Sequence, residues 1–279
     1  MRRPNLFILG APRCGTTAMF TFLGEHPEIH PSRIKEPYFF SRERSARQAG
    51  EYLALFSGAT TERWLLEASP HYIHTPQAPQ RIREFSPAAR AIVMIRDPVE
   101  QIRSLHDQRV LEHLQRSDDL GTELASGEAR ETYLPSVRSG ENLARVLAVF
   151  PREDVHVIVF DDFRADNAAA YRRALEFLGV ESSFMPQLRT INPTSEPRSL
   201  PLQRMLWHEG GAARQISRLI LPAGMRRKGF RHLAGLNRRP RPASTIDPTL
   251  AGQLWRELEP DVDLLSGLLG RDLVALWGR

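Results

Sequence analysis

A chain of 279 residues, 41% hydrophobic and 25% charged, has the composition of an ordinary globular protein and the length of one large α/β domain. No apolar run approaches the ~20 residues of a membrane-spanning helix, so no membrane span is expected. One cysteine, Cys14, leaves no internal disulfide to form, and a net charge of +5 suits anionic ligands without choosing among them.

The opening Met1-Arg2-Arg3-Pro4 leads into only four apolar residues, Leu6 to Leu9. That is too short for a signal-peptide core, and no small-residue cleavage site follows. With the lone cysteine, the expected setting is cytoplasmic. The nine histidines show no metal-ligand spacing, and no metal is expected.

Apolar runs at 6–9, 64–67, 91–95 and 155–160 read as strands. Helical patterns lie between and after them, at 16–25, 76–85, 99–114, 140–150 and 168–178, the last closing on Gly179. This alternation predicts an α/β domain with a mostly parallel sheet, its strands covered on both faces. After about residue 185, Pro186, Pro193, Pro197 and Pro201 break the chain into a loop. A helix is expected over 202–219, then a basic stretch from Arg226 to Arg241, then an amphipathic helix over 248–269. The expected organisation is one domain over 1–279. Its α/β core covers about 1–185, and about 186–279 supplies a covering loop, the basic stretch and C-terminal helices.

The most informative segment is Leu6-Phe7-Ile8-Leu9-Gly10-Ala11-Pro12-Arg13-Cys14-Gly15-Thr16-Thr17. It reads as a strand, a loop bounded by glycines, and the start of a helix. Gly10 and Gly15 have the separation of the two glycines in a P-loop, whose backbone N–H groups turn inward on phosphate oxygens. The following helix offers its positive end to the same anion. A P-loop kinase carries lysine directly after the second glycine. Here Thr16 stands in that place and the cation, Arg13, lies inside the loop, which weakens an ATPase reading.

Gly-Ala-Pro-Arg-Cys-Gly-Thr-Thr resembles the 5′-phosphosulfate loop of sulfotransferases that use 3′-phosphoadenosine-5′-phosphosulfate (PAPS), particularly bacterial and carbohydrate-modifying members. The resemblance implies a P-loop-NTPase-like three-layer α/β fold. It also implies that Pro12, Arg13, Cys14, Gly15, Thr16 and Thr17 bind the cofactor, with 3′,5′-adenosine bisphosphate (PAP) as product. Cys14 occupies a position where serine is common and reads as a small loop residue.

Residues Ala91 to Pro98 read as a buried strand ending on Arg96, followed by a turn that opens a helix. Pro98 suits the first helical turn and Asp97 its cap. Eight residues after Arg96 stands Ser104. This pattern resembles the 3′-phosphate segment of the same family, with Arg96 as a charge-assisted donor and Ser104 as a hydroxyl donor. Two separated anion cradles suit a ribose with phosphates at both ends, as in PAPS and unlike ATP.

Lys35-Glu36-Pro37-Tyr38-Phe39-Phe40 resembles the Lys-Glu-Pro-His-Phe-Phe segment of bacterial members, with Tyr38 where histidine is common. The glutamate matching Glu36 is the general base in related glycan enzymes, so the resemblance implies that Glu36 and Arg13 carry the catalysis. Leu66-Glu67-Ala68-Ser69-Pro70-His71-Tyr72 matches a segment along the cleft, where some glycan enzymes have lysine in the place of Ala68. Tyr38, Ser69 and His71 are candidate acceptor contacts. The run Asn192 to Ser199 resembles the loop that closes over the nucleotide, with Arg198 as its phosphate contact.

The implied reaction moves a sulfuryl group in line to a hydroxyl or amine of a small-molecule, lipid or carbohydrate acceptor. The scheme needs no metal, because the sulfuryl group carries less charge than a phosphoryl group and arginines offset the phosphates. Two rivals remain open at this point. A P-loop small-molecule kinase would need a lysine near Thr16 and a metal-binding carboxylate, for which Asp97 or Asp161 could serve. A non-catalytic module could use the basic stretch to hold nucleic acid or an acidic polymer. That stretch has no interleaved aromatic except Phe230, and no nucleic-acid partner is expected. The acceptor's identity and the oligomeric state are not encoded in any motif.

Overall fold

A computed structural model describes residues 2–112, 117–188, 195–197, 238–240 and 244–278. Its centre is a five-stranded, all-parallel sheet: β1 (Leu6–Gly10), β2 (Ile29–Pro31), β3 (Trp64–Ala68), β4 (Arg90–Ile95) and β5 (Val155–Val159). The spatial order is β2-β3-β1-β4-β5. Every residue of β1 and β3 is buried, so helices and turns cover both faces, as continuous apolar runs require.

The helices are α1 (Thr16–Leu23), α2 (Ala46–Leu53), α3 (Ala78–Phe85), α4 (Pro98–Glu112), α5 (Leu120–Leu124), α6 (Gly127–Val137) and α7 (Ser139–Leu147), then α8 (Phe160–Ala165), α9 (Asn167–Leu178), α10 (Pro248–Leu269) and α11 (Leu273–Trp277). Several ends differ from expectation for local reasons. The strand expected through residue 160 stops at Val159, because Phe160 already opens α8. The helix expected from residue 76 begins at Ala78, with Pro79 in its first turn, where a missing N–H costs nothing. The third short strand, β2, had no periodic signal. It is three residues long and ends on Pro31, which an edge strand tolerates.

The C-terminal helix α10 belongs to the same core. Leu254, Trp255, Leu258, Val262 and Leu265 are buried, and the helix packs on α7 and α4. The Asp261 carboxylate accepts from the Gly140 and Glu141 amides at 2.9 and 2.8 Å, satisfying two N–H groups at the start of α7. Short strands β6 (Ser195–Pro197) and β7 (Arg238–Pro240) pair antiparallel, and β6 lies beside α4. The helix expected over 202–219, Arg198, and the basic residues from 226 to 231 lie outside the described residues.

Strand order decides where a ligand can sit. From β1 the chain moves to the β2-β3 side, and from β4 it moves to the β5 side, so the connections diverge between the carboxyl ends of β1 and β4. In open parallel sheets that switch point leaves a crevice for ligands. Arg13 follows β1, and Arg96 follows β4.

Candidate functional site

The loop after β1 is shaped by its glycines. Gly10 has no room for a side chain: an added Cβ would lie 2.6 Å from Ile73 Cβ and 2.8 Å from the Pro70 carbonyl oxygen. Gly15 has φ +86°, a left-handed conformation that favours glycine, and α1 starts directly after it. Pro12 and Cys14 are buried, Thr16 is buried in the first turn of α1, and Thr17 is half-buried. The Cys14 thiol donates to the Pro12 carbonyl at 3.5 Å, and burial pushes its pKa up to about 12. It is a packed loop residue and not a thiolate.

Arg13 takes a left-handed backbone, φ 67°, and turns its half-buried guanidinium toward α4. Nε donates to Ser104 Oγ at 2.9 Å and Nη1 to Gln108 Oε1 at 3.3 Å. Arg96, at the end of β4, donates from Nη1 to the Arg13 carbonyl at 3.3 Å. Its guanidinium lies 4.7 Å from the Phe160 ring centroid and 3.6 Å from the Glu100 carboxylate. Asp97 accepts from the Val99 and Glu100 amides at 2.9 and 3.2 Å, the expected cap of α4. Arg13, Arg96 and Ser104, up to 91 residues apart in sequence, thus meet at the switch point.

This corner brings two guanidinium groups together. Burial, and then the neighbouring Arg96 charge, hold the Arg13 pKa below its ordinary value; burial also lowers that of Arg96. Two half-buried guanidinium groups repel each other here, and the partners seen for Arg13 are a hydroxyl and an amide oxygen. A bound anion would relieve that repulsion.

The acceptor-side candidates form a second cluster, beside the end of β3. Glu36 and Tyr38 both have positive φ, 64° and 52°. The Glu36 carboxylate receives the Lys35 ammonium on Oε1 and the Tyr38 hydroxyl on Oε2. Burial pushes its pKa up, but Lys35 and the Tyr38 hydrogen bond outweigh burial and hold it below the ordinary glutamate value. Ser69 is buried and accepts the Tyr38 amide at 3.2 Å. The His71 ring is exposed and stands edge-on to Tyr38 at 5.5 Å between centroids. His71 Nδ1 lies 3.2 Å from His74 Nε2, and His74 lines a cavity of about 410 Å³ with Leu134, Arg138 and Arg145.

Three participants had no motif to reveal them. Gln108 stands one helical turn beyond Ser104, so the i, i+4 spacing on α4 was the available signal. Phe160, the first residue of α8, lies over the Arg96 guanidinium, which spacing alone cannot show. Glu67 reads in sequence as one polar residue in an apolar strand, yet it is fully buried. Among the described residues no group of three His, Cys, Asp or Glu side chains is placed to hold a metal, and no helix is long and apolar enough to cross a membrane.

A parallel sheet whose switch point carries a glycine-bounded loop, a helix N-terminus and two arginines defines a P-loop-like α/β protein. The chain belongs to the sulfotransferase family: the family model described as "Sulfotransferase domain" matches residues 3–201. Its structure is similar to that of a sulfotransferase from Alicyclobacillus acidocaldarius, with a TM-score of 0.74 and 27% identity over 100% of both chains. Among curated proteins it is 28% identical over 197 residues to human bifunctional heparan sulfate N-deacetylase/N-sulfotransferase 3. It is also 29% identical over 185 residues to human heparan sulfate glucosamine 3-O-sulfotransferase 6. Each match covers 64% of this chain, but only 22% and 53% of the respective relative.

Proposed function

We propose that this chain is a PAPS-dependent sulfotransferase that transfers a sulfuryl group to a hydroxyl or amine of a small-molecule, lipid or carbohydrate acceptor. The observation that carries the reading is the meeting of Arg13 and Arg96, two half-buried guanidinium groups, at the crevice between β1 and β4. PAPS, when bound, supplies an activated sulfuryl group and leaves with new negative charge on its 5′-phosphate. In this reading Arg13 and the backbone N–H groups of residues 14–17 offer positive charge where that phosphate lies. Arg96 and the Ser104 hydroxyl hold the 3′-phosphate; Ser104 uses a lone pair for Arg13 and keeps its own O–H to donate. Arg198 adds a phosphate contact from the covering loop.

Glu36 takes the acceptor's proton. Its lowered pKa leaves it ionised near neutrality, as a base must be, and the Tyr38 hydroxyl and Lys35 hold its two oxygens. His71 lines the acceptor's approach, with the cavity beside His74 as adjoining room; Ser69, expected as an acceptor contact, is fully buried and anchors the Tyr38 amide instead. The whole chain acts as one domain in a cytoplasmic setting. Incubation of the protein with PAPS and a panel of alcohols, phenols and amines tests the reading. Acceptor-dependent release of PAP, lost in Glu36→Gln, is expected. Turnover of ATP with magnesium and no use of PAPS would contradict it.

A further inference from the structure

We propose that Glu67 is a positioning residue for Glu36, acting through the Tyr72 hydroxyl that ties down the turn from Lys35 to Phe40. The inference rests on the assignment of Glu36 as base and concerns how the fold holds that base in place.

The turn needs holding. Glu36 and Tyr38 are non-glycine residues with left-handed backbone, a conformation that persists only where the surroundings over-determine it. Three alternate amides of the turn are anchored on the carboxyl end of β3 and the 3₁₀ turn after it, Pro70–His74. The Glu36 amide donates to the Ala68 carbonyl at 2.9 Å. The Tyr38 amide donates to Ser69 Oγ at 3.2 Å, and the Phe40 amide to the Tyr72 hydroxyl oxygen at 3.1 Å. The first anchor is a carbonyl, which can only accept. The other two are hydroxyls, whose lone pairs face an incoming N–H only while their own hydrogens point elsewhere.

Glu67 gives the Tyr72 hydrogen a destination. Its carboxyl is fully buried on β3, and Oε2 accepts the Tyr72 hydroxyl at 3.1 Å and the Tyr52 hydroxyl at 2.9 Å. With the Tyr72 hydrogen turned toward Glu67, its oxygen is fixed as the acceptor for the Phe40 amide. The wall around it is aromatic: Phe39 stacks on Tyr52 with centroids 4.1 Å apart, and Phe40 stands edge-on to Tyr72 at 5.8 Å. An apolar side chain would suit such surroundings better than a carboxyl. Glu67 Oε1 has no hydrogen-bond partner, so the group is not there to satisfy itself.

Amide hydrogen exchange in Glu67→Met and Glu67→Gln tests this without requiring a known acceptor. Methionine fills the space and removes the acceptor; glutamine keeps an acceptor oxygen. Protection of the Phe40 amide should fall about tenfold in Glu67→Met and stay near wild type in Glu67→Gln, with β4 unchanged in both. In the same samples the Glu36 carboxyl, followed by carbon NMR, should titrate higher in Glu67→Met than in Glu67→Gln. Unchanged protection in a folded Glu67→Met, or an equal loss in both variants, would overturn the proposal. Should Glu67→Met not fold, Glu67→Leu takes its place, and failure of both while Glu67→Gln shows wild-type exchange at Phe40 would assign Glu67 to the core alone and also overturn it. Wild-type binding of PAP, measured alongside, reports separately on the sulfotransferase reading.

Discussion

The two halves of the site are built on opposite electrostatic plans. On the β1–β4 side, two guanidinium groups lie together with neutral partners around Arg13, and each is destabilised by burial. On the β3 side the candidate base is already satisfied, with Lys35 on one carboxylate oxygen and the Tyr38 hydroxyl on the other. Glu100, 3.6 Å from Arg96, offsets only part of the first half's positive charge. The second half is poised and complete, so its task is to hold one ionised carboxylate in a fixed direction. In the proposed reading, binding energy belongs to one half and proton transfer to the other.

Separate variants can break that division. The largest effect is expected from Glu36→Gln, which should lower kcat about 10²- to 10⁴-fold and leave PAP affinity unchanged. Because the Glu36 pKa lies below its ordinary value of 4.5, the acid limb of wild-type kcat should fall below that pH; a limb near neutrality would contradict the assignment. Arg13→Ala should cost about 10²- to 10³-fold in kcat, the scale of one lost oxyanion donor, and should also weaken PAP.

Glu67 offers a test on stability. Burial raises its pKa from 4.5 to about 7, against hydrogen bonds from Tyr52 and Tyr72, with the Glu36 charge adding to the rise. A carboxyl with a raised folded-state pKa stabilises the fold fully below its unfolded pKa, and that contribution is lost as pH rises through the folded pKa. Between pH 4.5 and about 7 the loss is on the order of 3 kcal/mol. Denaturant titrations should show Glu67→Gln flattening the curve in that window. Arg96→Ala should weaken PAP by about 10- to 100-fold, the worth of one charge-assisted bond of about 1.5–3 kcal/mol. Cys14→Ser should change PAP affinity less than about threefold, and the native thiol should resist iodoacetamide at pH 8 because it is buried and protonated. Rapid alkylation would mean that the loop opens.

Much of the local structure at the β1–β4 corner was legible in sequence because its elements are local. Gly10, Arg13 and Gly15 sit in one loop between a strand and a helix, and Arg96, Asp97 and Pro98 mark a strand end and a cap. The base half depends on contacts across the fold. The His71–Tyr38 approach, the anchoring of the Tyr38 amide on Ser69 and the burial of Glu67 all require β2 and β3 to be neighbours. β2 is too short to carry a period of its own. The positive φ of Glu36 and Tyr38 was likewise unreadable, since neither is a glycine or asparagine that would signal such a turn.

The central claim is that the corner between β1 and β4 holds a nucleotide with phosphates at both ends of its ribose. Thermal stabilisation by PAP, compared with ADP and with ATP plus magnesium, tests it most directly. At 100 times its dissociation constant a ligand adds about 2.7 kcal/mol, a clear rise in Tm. Selective stabilisation by PAP, lost in Arg96→Ala, is the predicted result. Equal shifts with ADP, or a shift only with ATP and magnesium, would contradict the two-phosphate site.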